Sequence, residues 1–100
     1  MRNKFDFYSD PAHGWVKVTM RELVDLGIAD KISGYSYMKD ENVYLEEDSD
    51  LALFFEAYEE KFHKKPQFVE HIADKMSKIR NYKSYRMPVA PEPANNLFEG

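Results

Sequence analysis

Residues 48–65, "DSDLALFFEAYEEKFHKK", carry the one pattern in this chain that admits a single local structure. Leu51, Phe54, Phe55, Tyr58 and Phe62 recur at i, i+3, i+4, i+7 and i+11, the spacing that lines one face of an α-helix. Acids precede the stripe and Lys61, His63, Lys64 and Lys65 end it, both in the sense the helix macrodipole favours. Pro66 limits continuation. A helix over about 49–64 is therefore expected, with Asp48 or Ser49 as its cap. An amphipathic helix needs something flat and apolar to cover, and the flanking sequence supplies strands.

"KFDFY" (4–8) and "WVKV" (15–18) alternate with period two around the turn "SDPAHG", which predicts a hairpin. "YSYM" (35–38) and "VYLE" (43–46), joined by "KDEN", predict a second. Between them, Thr19 and Glu22 form a capping box, and Gly27 followed by Ile28 marks a left-handed stop. A short helix over about 19–27 follows, with Leu23 and Leu26 inward. The expected fold class is α+β: a small antiparallel sheet of hairpins packed on two helices. Residues 1–86 form its single domain, and 87–100, with three prolines, an extended or mobile tail.

Residues 67–82 carry two signals. Phe68, Ile72, Met76 and Ile79 are spaced as on a helix, whereas "QFVEHI" and "IRNY" also suit short strands about a turn at "ADKM".

The 100 residues contain no Cys, so disulfides, thiolate metal sites and a Cys nucleophile are excluded. No leader-like or membrane-spanning apolar run appears, and a soluble cytoplasmic protein is expected. Charge is polarised along the chain. Asp40 to Glu60 holds nine acids and no Lys or Arg; Lys61 to Arg86 holds eight bases and two acids. The two segments either neutralise each other in the fold or present opposed patches.

Candidate chemistry follows from that polarity. The "LEEDSD" acids match no calcium loop, which needs a turn glycine and spaced oxygen ligands. His13, His63 and His71 share no ligand spacing, so no metal and no cofactor are expected. No constellation for catalysis is present, and a non-enzymatic role is expected. His13 and Trp15 flank a tight turn, where a Trp covering the core is favoured over a ligand corner.

The acidic stretch suggests a partner surface of Asp40, Glu41, Glu47, Asp48, Asp50, Leu53, Glu56, Glu59 and Glu60. On a helical wheel Leu53 and Ala57 lie outside the main stripe, an apolar spot ringed by acids. The alternative is nucleic-acid binding through "SKIRNYKSYR", with Lys78, Arg80, Lys83 and Arg86 on phosphate and Tyr82 and Tyr85 on bases.

Taken together, "YSDPAHGW", "LGIADKISGYSY", "VYLEEDSD" and "SKIRNYKSYR" resemble a family of small, largely uncharacterised proteins carried by bacteriophages, prophages and plasmids. The chain departs from that pattern at Ala12, where the family often has Gly, and at Ser49, where it often has Cys. The resemblance implies strands near 67–72 and 79–82. It also implies an accessory protein of a mobile element in a bacterial host. With the acidic stretch, the expected function is to bind and inhibit a host or defence protein, of anti-restriction or anti-CRISPR type, through that partner's basic surface.

Overall fold

The computed structural model describes residues 1–87; the expected tail over 88–100 lies outside the described residues. Six strands form one sheet: β1 (Lys4–Ser9), β2 (Gly14–Thr19), β3 (Tyr37–Lys39), β4 (Asn42–Glu46), β5 (Gln67–Ile72) and β6 (Lys83–Ser84). Their order is β5-β1-β2-β4-β3-β6. All neighbours are antiparallel except β1 and β5. Two α-helices, α1 (Met20–Asp25) and α2 (Leu51–Phe62), complete an α+β fold.

Both expected hairpins form. In the β1–β2 turn, Asp10 Oδ1 accepts from the backbone N–H of Ala12 (3.0 Å) and His13 (2.9 Å), an Asx turn. In the β3–β4 turn Asp40 takes φ 55°, a left-handed conformation that Asp tolerates better than most residues. The α1 boundaries follow their signals. Thr19 and Glu22 exchange side-chain and backbone hydrogen bonds as a capping box. Gly27 lies at φ 74°, its N–H on the Val24 carbonyl while that of Ile28 reaches Leu23, a Schellman stop.

Side-chain alternation divides the sheet into two faces. Phe5 of β1, Val16 and Val18 of β2, and Val43 and Leu45 of β4 point to the helical side. There they bury against Phe54 and Tyr58 of α2, Leu23 of α1, and Ile28 and Ala29. The Phe5 ring meets Phe54 edge-on at 5.0 Å and Tyr58 at 5.8 Å. On the other face Trp15, Tyr44 and Ile79 form a smaller cluster, flanked by Tyr8, Tyr37 and Tyr82. Trp15 is thus a core residue, 1% exposed, although its indole N–H finds no acceptor among the described residues.

Three expectations need correction. The segment near 79–82 is a 3-10 turn over Lys78–Asn81, not a strand; β6 follows it. Ser77 caps this turn by accepting from the Ile79 N–H, and Ile79 is drawn into the Trp15–Tyr44 cluster. The strand at 67–72 does form, as β5. The helical spacing of its apolar residues marks no buried stripe, since Ile72 is 79% and Met76 62% exposed.

Helix α2 starts at Leu51 with Asp50 as its cap residue, so neither Asp48 nor Ser49 takes that place. The Asp50 carboxylate accepts from no N–H of the first turn and instead turns inward. It accepts from the Ser33 N–H (3.0 Å), the Ser33 hydroxyl (2.7 Å) and the Ser36 hydroxyl. This buried carboxylate ties the turn before β3 to the start of α2. Asp50→Ala strands those donors and is expected to cost on the order of 3 kcal/mol in chemical denaturation.

Finally, Leu53 and Ala57 are half-buried rather than an outward spot, and reach the surface only as the lining of a cleft. Both pack against the main core, because the Leu26–Ile28 stop of α1 forms a second wall on that side of α2.

Candidate functional site

The polarity seen along the sequence survives folding. Among the described residues, no ion pair joins an acid of 40–60 to a base of 61–86. Arg80 and His71 turn to Asp10 and Asp6 of the N-terminal segment instead. Glu41, Glu47, Asp48, Glu56, Glu59 and Glu60 have no ion-pair partner there; Glu46 meets only His13.

The nine acidic-stretch positions do not form one patch. Asp40 and Glu41 sit at the β3–β4 tip and Glu47 and Asp48 beyond the opposite end of β4, while Asp50 is buried. Glu56 and Glu60, one turn apart on α2, flank a cleft of about 290 Å³ between α2 and α1. Leu26, Ile28, Leu53 and Ala57 also line it, and Lys31 and Lys61 complete the rim. Lys61 donates to the Asp25 carbonyl at 2.9 Å and Lys31 meets Asp30 at 3.4 Å, which leaves both glutamates free.

The basic segment also divides. Tyr85 is buried among the main-core residues, its hydroxyl on the Ala29 carbonyl. Arg80 is committed to Asp10: Nε lies 2.9 Å from Oδ2 and Nη2 3.0 Å from Oδ1. The guanidinium also covers the Trp15 ring at 5.5 Å. With the Ser77 N–H as a further donor, Asp10 holds the 77–81 turn against the sheet. The Arg80 guanidinium, with the Ser77, His13 and Ala12 amides, keeps the Asp10 carboxyl far below the usual carboxylate range against the cost of its burial. Arg80 and Tyr85 are therefore structural, whereas Lys78, Lys83 and Arg86 are exposed and Tyr82 half-buried.

What sequence order hides is the company these residues keep. On the open sheet face Tyr8, Lys17, Tyr44, Ser77, Lys78 and Tyr82 line a recess of about 290 Å³. An adjoining groove of about 550 Å³ shares Lys78 and Tyr82 and adds Lys39, Lys83 and, at its rim, Asp40. The Tyr82 ring lies 5.2 Å from Tyr44, and Lys39 Nζ stands 5.1 Å above it. Burial, then the neighbouring phenols, raises the Tyr44 pKa; burial, then Asp6 and Tyr82, raises that of Tyr8. Both hydroxyls remain donors through the neutral range. The period-two alternation of β1, β2 and β4 places Tyr8, Lys17 and Tyr44 on one face, a signal present in the sequence once the strand pairing is known.

A third grouping stands at the end of β4. His13 Nδ1 lies 3.2 Å from Glu46 Oε2, and one ligand atom each of His13, Glu46 and Asp48 fall within 4.8 Å of one another. One imidazole and two carboxylates suit a divalent cation. Here Glu46 already accepts from the Asp48 N–H at 3.0 Å and meets the His13 ring, so the set is hydrogen-bonded as it stands.

No helix among the described residues is long and apolar enough to cross a membrane. In comparisons with family models, curated proteins and solved structures, nothing matches the chain.

Proposed function

We propose that the protein is a non-enzymatic binding protein that occludes a basic surface on a partner protein. Its helical face is the contact. The observation that carries this is the free state of Glu56 and Glu60, which flank a cleft with an apolar floor, and of Glu59 on the same helix, none with an ion-pair partner among the described residues. Such a cleft receives an apolar side chain of the partner while the glutamates meet its cations, an anchor with a polar rim. Unpaired acids also raise the encounter rate with a basic surface. Asp50 and the β3–β4 tip have no part in this contact, the first by burial and the second by distance along the fold.

The resemblance to mobile-element proteins directs the choice of partner toward a host or defence protein whose basic surface normally holds nucleic acid. A pull-down from nuclease-treated bacterial lysate tests this, comparing the chain with its Glu56→Lys/Glu59→Lys/Glu60→Lys variant. The expected result is a basic nucleic-acid-binding protein retained by the first and lost by the second. An unchanged set of captured proteins overturns the proposal.

A further inference from the structure

We infer that the open face of the sheet is a binding groove for single-stranded nucleic acid, with Lys17, Lys39, Lys78 and Lys83 on its phosphates and Tyr8 and Tyr82 beside its bases. This rests on a different face and different residues from the proposed protein contact, and either can fail without the other.

Three observations converge. First, the four lysines surround two joined recesses and none has an ion-pair partner among the described residues. Four unpaired ammonium groups along one groove call for a ligand with repeated negative charge. Second, the recess between Tyr8 and Tyr82 offers neutral hydroxyl donors beside two of those cations, the mixture that a phosphodiester accepts from. Third, one aromatic plane of this face is already stacked, while Tyr82 tilts at 51° to Tyr44. Tyr8 lies on His71 at 4.8 Å with 19° between the rings, and both are partly exposed. Bases extend such stacks irrespective of sequence.

The dimensions and the surroundings favour a single strand. A recess of about 290 Å³, lined on one side by Ser77, Lys78 and Ile79 of the 77–81 turn, has the size for one splayed nucleotide rather than for a duplex. An acidic peptide would satisfy the lysines and leave the aromatic planes unused. The net charge of −4 opposes a polyanion at long range, and Asp40 at the rim and Asp6 opposite Lys17 stand near the groove against its four lysines; the glutamates of α2 lie on the helical side and are screened beyond about 8 Å at physiological salt.

The test is fluorescence anisotropy of labelled oligothymidylate and oligouridylate with the full chain. The single tryptophan, Trp15, sits beneath this face and supplies a second signal by quenching. Binding is expected at about 50 mM salt, with a log–log salt slope of roughly −3 for four lysines at about −0.7 each. Lys39→Glu/Lys78→Glu should weaken it by about tenfold or more and flatten the slope by roughly 1.4. Lys64→Glu/Lys65→Glu, exposed beyond α2, makes the same change in net charge and should leave affinity within about twofold. Equal loss in both variants overturns the groove. So does the absence of binding at low salt, or equal competition by inorganic phosphate and by an acidic peptide. Self-association that only the groove reversal abolishes, with no oligonucleotide bound, assigns the groove to the acidic face of a second copy and likewise overturns the inference.

Discussion

Phe54→Ala is expected to bring the protein close to unfolding. Phe54 is fully buried, and its ring is the point at which α2 meets the sheet, edge-on to Phe5 and 6.1 Å from Tyr58. Truncating a buried Phe removes its transfer energy and leaves a cavity, together about 3–5 kcal/mol. A domain of this size has only about 5–15 kcal/mol to lose. At roughly 4–8 °C per kcal/mol, the thermal midpoint should fall by tens of degrees. Circular dichroism melts read this directly. A fall of less than about 5 °C would mean that α2 is not held by this packing, and the acidic face it carries would lose its scaffold. Glu56→Lys/Glu59→Lys/Glu60→Lys, by contrast, touches no core contact and should leave the midpoint nearly unchanged.

Acid, or the loss of Asp10, is expected to release the 77–81 turn and with it one wall of the groove. Asp10 is a carboxylate with no exposed side-chain surface, holding Ala12, His13, Ser77 and Arg80 at once. Its folded pKa lies far below the ordinary aspartate value. A group lowered on folding contributes stability in full above its unfolded pKa, and that contribution is lost as pH falls toward the folded one. The pH profile of stability should therefore slope downward on acidification from about pH 4, with the shared Asp10 portion absent in Asp10→Asn. Glu22 acts in the same sense: burial raises its pKa, but Arg2 and the Thr19 amide outweigh this and the net shift is downward. Hydrogen exchange separates the two. Asp10→Asn should speed exchange at Ile79 and Tyr82, whose N–H groups depend on the 77–81 turn, and leave α1 protected. Uniform loss of protection would show that Asp10 holds the whole domain rather than one segment.

These two sites differ in how far they could be read from residue order. Phe54 belongs to a stripe with one interpretation, and α2 forms where that stripe stands. The α1 boundaries were equally legible, because a capping box and a Schellman stop are short-range chemistry: Thr19 needs only Glu22, and Gly27 needs only the turn behind it. The hairpins depended on alternation and turn residues a few positions apart. All of these are interactions whose partners are close in sequence.

Ile79 shows where that legibility ends. Its place in a helix, a strand or a 3-10 turn depended on Asp10, some seventy residues away, and on the Trp15–Tyr44 surface awaiting a cover. Local spacing puts the α2 cap at Asp48 or Ser49, but the cap position falls to Asp50. The hydroxyls of Ser33 and Ser36 drew it inward, and nothing within four residues of Asp50 announces them. Leu53 looked exposed because a helical wheel includes one neighbouring surface, and α2 has two.

The sequence by itself determined the α+β class, the two helices, the hairpins and the polarity of charge, since each is written in spacing and short-range capping. Only the tertiary structure decided that the acids and bases do not cancel, because cancellation depends on which residues end within 4 Å of each other. It also decided that Arg80 and Tyr85 are structural, and that the usable cations lie beside tyrosines from β1 and β4. Strand order brought those tyrosines to one face, and strand order is set by long-range burial rather than by any pattern along the chain.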